Sequence, residues 1–320
     1  MRFRAHLANV STFTSNIPLS TNLTNLVELI DSVNKLARRA VFTFAPHEIS
    51  LVSTGDDEDV TYYSNRWRIT QSELFGLNYH VQSNNDNEIP MELSTQALAS
   101  AVRQTSSSPT EIVIRLGRIG KTPYLSFTTK TVVCTHRQGP SGAEYEVEQR
   151  VAVRILKPPD VQALPKPSSP VPDVIISLPK VGDLCKVAER LKSLSDLITV
   201  SASRNGGFRL GIITEHARVE TEWRDLALLD RSSSQPTQDA NMTPRATSAF
   251  FDATVKSRAL LRFLHASTNG VSLASICEGF CVVLYNYIGD SAQLRDTDNT
   301  EGRMGSLIAF LPIVNEDGDA

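Results

Sequence analysis

Hydrophobic and polar positions alternate along this chain with two periods, which predict strands and amphipathic helices. The first residues, "RFRAHL", alternate polar with apolar side chains, the pattern of a half-buried strand. From Thr21 to Arg39 the apolar side chains recur at the spacing of a helical turn, which predicts a helix with one apolar stripe. The pieces "VFTF", "ISLV" and "RWRI" predict strands, and "STQALASAVRQT", from Ser94, predicts a second helix. Three further strands follow in "EIVIRL", "YLSFTTKTV" and "YEVEQRVAVRIL".

The same order of elements returns after a proline-rich stretch in the middle of the chain. "DVIISLP" predicts a strand, "VGDLCKVAERLKSLS" a helix, and "LITVSAS" and "FRLGIIT" two strands joined by the turn "RNGG". "VETEWRD", a helix in "KSRALLRFLHAS" and the strands "VSLASICE", "CVVLYNYI" and "SLIAFLPI" complete the second copy. This repetition predicts an α+β protein of two similar domains, each with two helices packed on antiparallel sheets. We place the domains at residues 1–156 and 173–320, with a connector at 157–172.

Polar and proline-rich segments interrupt this pattern. The segments 135–143, 228–248 and 290–305 predict polar loops, and the second, rich in Ser, Thr, Gln and Pro, is predicted to be disordered. The connector "KPPDVQALPKPSSPVP" contains six prolines. Because proline removes a backbone donor and fixes φ, we predict a semi-rigid, polyproline-like segment here rather than a helix or a central strand.

Length, composition and charge narrow the class of protein. A chain of 320 residues with 41% hydrophobic and 21% charged residues is typical of a globular protein of about two domains. No leader pattern or membrane-length apolar run occurs, and four cysteines suggest no disulfide framework, so we expect a soluble intracellular protein. The formal net charge of −3 excludes the overall basic character that identifies many nucleic-acid-binding proteins.

Motifs for catalysis or for a cofactor are missing from the sequence. The stretch "GRIGKT", Gly117 to Thr122, has too few residues between its glycines for a phosphate loop and precedes a strand, so we predict a hairpin turn. Cys277 and Cys281 lack a second ligand pair for zinc and are predicted to be buried free thiols. No Gly-x-Ser-x-Gly elbow occurs, although the members of a catalytic triad can be distant in sequence. We expect no enzymatic activity, no cofactor and no metal.

Basic side chains are concentrated on the four predicted helices. These helices carry eleven basic and four acidic side chains, a net charge of +7, although the whole chain has a net charge of −3. At 100° per residue the basic positions turn away from the apolar stripes. Outward lysine and arginine side chains suit contacts with nucleic-acid phosphates that do not depend on base sequence. The alternative is an ordinary solvated face, since cations also favour helix C-termini.

Taken with the duplicated element order, three stretches resemble a known family. The opening "MRFRA", the second-domain opening "PDVIISLPK" and the following "KVAERLKSLSDLITV" resemble the Hus subunit of the heterotrimeric DNA-damage checkpoint clamp, the nine-one-one clamp. The whole arrangement resembles eukaryotic sliding clamps of the proliferating cell nuclear antigen type. The resemblance covers nearly the whole chain outside the three polar segments.

The resemblance implies a sliding DNA-clamp fold and a non-enzymatic role in a ring with two non-identical clamp subunits. Such a ring is placed on duplex DNA by a clamp loader, works in the nucleus with repair and checkpoint proteins, and has no membrane partner. The DNA-facing residues that it implies are Lys35, Arg38, Arg39, Arg103, Lys186, Arg190, Lys192, Arg258 and Arg262. The implied edges between subunits are the last strand of the first domain, with Val147, Val151, Val153 and Ile155, and the strand with Arg218, Glu220 and Glu222.

The resemblance also makes the connector a candidate docking segment for partner peptides. Its apolar candidates are Val161 and Leu164, and the alternative is a plain spacer that these residues hold against the sheet. Two other functions stay open at this point: a homotrimeric replication processivity clamp, and a structural interaction scaffold without direct DNA contact.

Overall fold

The described residues of the chain form two compact units. The computed structural model describes residues 2–8, 19–46, 48–54, 62–68, 79–105, 111–133, 143–164, 167–215, 217–229, 248–267, 270–288 and 305–314. One unit consists of residues 1–56 and 64–165, and the other of residues 57–63 and 166–320. Residues 135–142, 230–247 and 290–304, which make up most of the three predicted polar loops, lie outside the described residues, and so does the predicted disorder of the second loop.

The first unit is a sheet of nine strands with two main helices. Its elements are β1 (Arg2–Ala8), α1 (Leu19–Leu36), β2 (Arg39–Phe44), β3 (Glu48–Thr54), β4 (Tyr62–Arg68), β5 (His80–Gln82), β6 (Ile89–Ser94), α2 (Thr95–Thr105), β7 (Glu111–Ile119), β8 (Thr122–Val133), β9 (Ala143–Ile155) and α3 (Pro158–Gln162). The sheet order is β4-β3-β2-β6-β9-β8-β7-β1-β5. The pairs with a defined register are all antiparallel.

Helices α1 and α2 pack on one face of this sheet. Ile30 and Val33 of α1 and Val102 of α2 share one buried cluster with Phe42 and Met91 of the strands. The two helices are tied together by Thr95, which is fully buried. Its hydroxyl donates a 2.6 Å hydrogen bond to the carbonyl oxygen of Ala37, just beyond the end of α1. A buried hydroxyl that is hydrogen-bonded stabilises the fold. Without the Thr95 hydroxyl, the carbonyl of Ala37 would lose this buried donor.

The second unit repeats the element order of the first. It contains β10 (Val174–Ser177), α4 (Val181–Lys192), β11 (Leu197–Ser203), β12 (Phe208–Ile213), β13 (Arg218–Trp223), β14 (Phe250–Lys256), α5 (Ser257–Ala266), β15 (Val271–Cys277), β16 (Cys281–Ile288) and β17 (Gly305–Pro312). Four strands are ordered β10-β15-β16-β17, and four others form a sheet in the order β13-β12-β11-β14. Pairing is antiparallel in both.

Two hairpins predicted from turn residues are confirmed. "GRIGKT" is the β7–β8 hairpin, in which Ile119 pairs with Thr122 and Gly120 takes a φ of +59°. "RNGG" joins β11 to β12, and Gly206 has a φ of +85° with the backbone of Leu226 against it. Only glycine enters that region without a steric penalty, so the turn residue determines the hairpin locally.

Other elements differ from the sequence prediction. Strands β5, β6 and β14 were not predicted, although β14 alternates buried Phe251, Ala253 and Val255 with more exposed residues, a period that favours a strand.

The connector prediction was wrong in its first part, where residues 158–162 form the short helix α3. The two prolines occupy the first helical turn, where no N–H is needed, and the Asp160 carboxylate accepts a hydrogen bond from the N–H of Lys157.

Candidate nucleic-acid interface

Helices α4 and α5 pack against each other and bury their apolar stripes. Leu184, Ala188 and Leu191 of α4 are buried, as are Leu260 and Phe263 of α5. Basic residues fill the opposite sides of the two helices, as their spacing predicts. Lys186, Arg190, Lys192 and Arg258 are exposed, and Arg262 is half-buried. Five cations therefore belong to one helix pair, on the side away from its core.

Acidic side chains reduce this positive charge at two points. Asp183 lies 3.6 Å from Lys186, one turn away on α4. Glu189 of α4 approaches His265 of α5, with 3.1 Å between the carboxylate oxygen and Nε2. Both members of each pair are well exposed, so each pair adds at most about 1 kcal/mol to stability. Arg190, Lys192 and Arg258 have no carboxylate partner among the described residues.

The helix pair of the first unit carries fewer cations. Lys35, near the end of α1, is exposed. Arg103 of α2 is also exposed, but its guanidinium lies 2.7 Å from Asp31 of α1 and donates a second bond from Nε at 3.2 Å. Asp31 therefore balances the charge of Arg103. The basic character of the described helices comes mainly from α4 and α5.

The structure corrects the placement of Arg38 and Arg39. Helix α1 ends at Leu36, so neither arginine is helical: Arg38 is in the turn and Arg39 begins β2. Along β2, Ala40 and Phe42 enter the core that the helices cover. Because side chains alternate across a strand, Arg39 points to the opposite face of the sheet. Arg39 therefore does not share the face on which α1 and α2 pack.

Arg39 instead belongs to an ion cluster that the sequence did not predict. Glu92 of β6 accepts a bond from Arg39 Nε at 3.0 Å and one from Arg154 Nε at 2.6 Å. The Glu92 side chain is only 17% exposed, while both arginines are about two-thirds exposed. One mostly buried carboxylate is thus satisfied by two arginines from different strands. The three residues lie far apart in the sequence, so no local pattern indicates the cluster.

Strand β13, which carries the predicted interface residues Arg218, Glu220 and Glu222, is the end strand of its sheet. Within the described chain it pairs with β12 on one side only. Arg218 and Glu220 are exposed and form a 2.6 Å ion pair. The Glu222 carboxylate accepts hydrogen bonds from Arg224 and Arg209. Both bonds lower the pKa of this carboxyl, and the bond from Arg224 has the larger effect. The edge therefore presents alternating fixed charges beside the 38% exposed side chain of Val219.

Strand β9 is only partly a free edge, which corrects the prediction for three of its residues. Residues 143–152 pair with β8 and have no described partner on the other side, and Val147 there is 40% exposed. From Val153 to Ile155 the strand also pairs with β6, so this end is not free. The side chains of Val151 and Val153 are 3% and 6% exposed and belong to the core. Only Val147 among the four predicted residues has an exposed side chain on an open stretch.

The connector begins next to a cavity of about 290 Å³ in the first unit. Leu164 lines this cavity together with Val41, Val52 and Leu156, and the Arg39–Glu92–Arg154 cluster borders it. Val161 is half-buried on α3 but does not line the cavity. The buried hydroxyl of Ser53, also in the cavity wall, has no hydrogen-bond partner among the described residues. The cavity therefore combines apolar lining residues with one unsatisfied hydroxyl, that of Ser53.

Neither a metal-binding group nor a membrane-spanning helix is found among the described residues. No three His, Cys, Asp or Glu side chains come together there in a way that could hold a metal ion. The described helices are too short or too polar to cross a bilayer.

The fold defines a class of protein, the sliding clamps. The chain is similar to proliferating cellular nuclear antigen from Entamoeba histolytica with a TM-score of 0.62, over 98% of this chain and 99% of the other, at 9% sequence identity. At that identity the likeness concerns the fold alone. The two helices with antiparallel sheets in each unit are the sliding-clamp architecture that the sequence predicted.

Within that class the chain belongs to the Hus1-like protein family, whose profile matches residues 1–312. It is 29% identical to checkpoint protein hus1 of Schizosaccharomyces pombe over 274 residues, which cover 84% of this chain and 91% of the relative. It is 23% identical to checkpoint protein HUS1 of Homo sapiens over 244 residues, covering 76% and 82%. The family resemblance drawn from the three sequence stretches is confirmed.

Proposed function

We propose that this chain is a non-enzymatic subunit of a heterotrimeric checkpoint clamp that encircles duplex DNA in the nucleus and supports damage signalling and repair. The observation that carries the proposal is the cationic side of α4 and α5, turned away from the helix core. Membership of the Hus1-like family and the sliding-clamp fold support it. Relatives in the family carry the name checkpoint protein.

The charge arrangement suits contact with the DNA backbone rather than base reading. Lysine and arginine on the outward side of a helix neutralise phosphates whatever the sequence, and each such contact is individually weak. A protein held by several weak contacts can move along the duplex without releasing it. We therefore assign the DNA contact to Lys186, Arg190, Lys192, Arg258 and Arg262, with a smaller share for Lys35, Arg38 and Arg103.

The open strand edges provide the surfaces for ring assembly. Strand β13 and residues 143–152 of β9 each have one unpaired side in the described chain. An exposed edge with apolar side chains such as Val147 and Val219 favours pairing with another chain, and a closed ring uses up both edges. Two non-identical clamp subunits are the partners that we assign to these edges.

A second contact surface is proposed at the beginning of the connector. The 290 Å³ cavity beside α3 has an apolar floor next to Leu164 and a charged border. A pocket of this kind fits a side chain of a docked peptide, with apolar burial for affinity and the arginines for orientation. We assign it to repair or checkpoint proteins, and the loader that opens the ring is a further partner.

Topological retention is the experiment that tests the ring proposal. The chain is purified with two candidate clamp paralogues, loaded with a clamp loader onto nicked circular DNA, and washed at high salt. A complex of one copy of each subunit that resists salt on the circle but is released when the circle is cut would support an encircling heterotrimer. The encircled DNA cannot leave a closed ring, whereas contacts by charge alone are lost in salt.

Other outcomes separate the alternatives. A stable homotrimer of this chain, retained on circular DNA without the paralogues, would overturn the checkpoint assignment and favour a replication clamp. A heterotrimer that assembles but is never retained on circular DNA would contradict encirclement and favour a structural scaffold.

A further inference from the structure

Two cysteines face each other at the end of the β15–β16 hairpin. Cys277 is the last residue of β15, Cys281 is the first of β16, and the two are directly paired across a turn of three residues. Their side chains are hydrogen-bonded to each other, and the two residues are 2% and 0% exposed. Both are free thiols. The strand register alone therefore places two thiols side by side.

The end of the connector covers this pair. The hydroxyl of Ser169 lies 3.9 Å from the sulfur of Cys277, and the Cys277 thiol donates a hydrogen bond to the carbonyl of Pro170 at 3.8 Å. The carboxylate of Asp173 accepts a 2.8 Å bond from the N–H of Glu278 in the turn. Residues 169–173, the connector end, are therefore held on the hairpin by contacts that include the thiol itself. The connector end is otherwise exposed, with Val171 66% exposed.

The geometry suits a disulfide with little rearrangement. Directly opposed residues of an antiparallel pair have Cβ atoms about 4.5–5.5 Å apart, and a disulfide needs about 3.5–4.5 Å. The turn contains Gly279, which has open space around it and a φ of +67°, so the backbone beside the pair can adjust. A bond closed under slight strain is also readily reduced.

We propose that Cys277 and Cys281 are an oxidation site that closes to a reversible cross-strand disulfide, and that the connector end controls access to it. The oxidant is hydrogen peroxide. The thiolate of Cys277 attacks one peroxide oxygen, the O–O bond breaks, and a sulfenic acid and hydroxide are formed; the hydroxide takes up the proton that Cys277 released and leaves as water. The thiol of Cys281 then attacks the sulfenic sulfur, the S–S bond forms, and a second water leaves. The two thiols lose two electrons and the peroxide gains them.

Burial explains why the pair is stable as thiols in the closed state, although the hydrogen bond from Ser169 acts in the opposite direction on the pKa of Cys281. Burial and the neighbouring Cys277 raise the pKa of the Cys281 thiol to about 12, so it is protonated at neutral pH. A buried, protonated thiol reacts slowly with peroxide. Lifting the connector end exposes Cys277 to water and to oxidant. Closure of the disulfide then removes the S–H that bonded to Pro170, so the oxidised form holds the connector end less tightly.

The test uses the full chain with the substitutions Cys134→Ser and Cys185→Ser, which leave only the pair. The protein is treated with hydrogen peroxide under native conditions, denatured, alkylated and analysed by mass spectrometry. We expect both cysteines to escape alkylation together within one chain, with a mass lower by two hydrogens, and dithiothreitol to restore both. Hydrogen exchange of the Asp173 N–H, which donates a 2.9 Å bond to the carbonyl of Ile276, should become faster on oxidation.

A substitution in the connector end tests whether this segment controls the access of oxidant to the two thiols. Asp173→Asn weakens the bond to Glu278, and the loss of one such hydrogen bond should make oxidation about threefold faster. The matched control is Asp252→Asn, an exposed aspartate on β14, which should leave the rate unchanged. The disulfide would be overturned if both thiols of the pair stay alkylatable under peroxide conditions that oxidise Cys185 in the unsubstituted chain, or if they form only bonds between chains. Equal rates in Asp173→Asn and its control would overturn the role of the connector end.

Discussion

The salt dependence of DNA binding gives a quantitative test of the cationic side of α4 and α5. We propose replacing Arg190, Lys192 and Arg258 together by glutamine. None of the three pairs with a carboxylate among the described residues, so their removal leaves no buried charge behind and should not affect folding. Each is exposed, and each is available for one phosphate contact.

The expected magnitude follows from counterion release. Each phosphate contact contributes about 0.9 to the slope of log affinity against log salt, so three lost contacts lower the slope by about 2.7. Between about 50 and 200 mM salt, the unsubstituted complex should therefore lose about 40-fold more affinity than the variant. The measurement is fluorescence anisotropy of the assembled complex on a short duplex with open ends, at several salt concentrations.

Two matched controls make the result decisive. Lys121→Gln removes an exposed cation from the β7–β8 turn, and Arg39→Gln removes one that the structure places on the face away from α1 and α2. Both should leave the slope unchanged. A triple variant with an unaltered slope, or an Arg39 variant with as large an effect per charge as the triple variant, would refute the assignment of the DNA contact to the helices.

Three further predictions concern assembly and stability. Val147→Asp or Val219→Asp should prevent ring assembly while the chain stays folded, as seen by size-exclusion chromatography. The control Ile119→Asp, at a more exposed apolar residue at the end of β7, should not prevent it. Thr95→Val should lower the free energy of unfolding by about 1–3 kcal/mol, because the carbonyl at the end of α1 loses its buried donor, and a lower melting temperature would report this. Burial raises the pKa of Tyr79 above its ordinary value, so its contribution to stability is complete below about pH 10 and is lost as the pH rises through the folded-state pKa. Above about pH 10, the melting temperature of Tyr79→Phe should therefore fall less with rising pH than that of the unsubstituted chain. An equal fall in the two proteins would contradict the buried phenol.

The corrected position of Arg39 separates two charged surfaces of the chain. The cations on α4 and α5 are mostly exposed, and three of them have no carboxylate partner in the part of the chain that the structure describes, which suits contact with a polyanion. Arg39 and Arg154 are fixed on Glu92 beside the connector cavity, which suits recognition of a peptide. The two surfaces can therefore be altered independently, which makes separation-of-function variants possible.

The sequence by itself determined most of the order of elements, the duplication and the orientation of the helix cations. These features depend on local periods: the rotation of 100° per residue turns Arg190 at least 100° away from Leu184 and Leu191 whatever lies around the helix. The hairpin at Gly120 is local in the same sense, since only a few residues decide the turn. The family was likewise indicated by three short stretches, "MRFRA", "PDVIISLPK" and "KVAERLKSLSDLITV".

Only the tertiary structure decided which strands are neighbours, and several of the wrong predictions depended on that. Arg39 was assigned to a helix that ends three residues earlier, and its true partner Glu92 is on another strand. The pairing of β9 with β6, which closes the edge at Val153 and Ile155, joins residues about 60 apart in the chain. The thiol pair under the connector end likewise needs the strand register and a contact between residues more than 100 apart. Such contacts are set by packing of the whole unit, and no short window of sequence contains them.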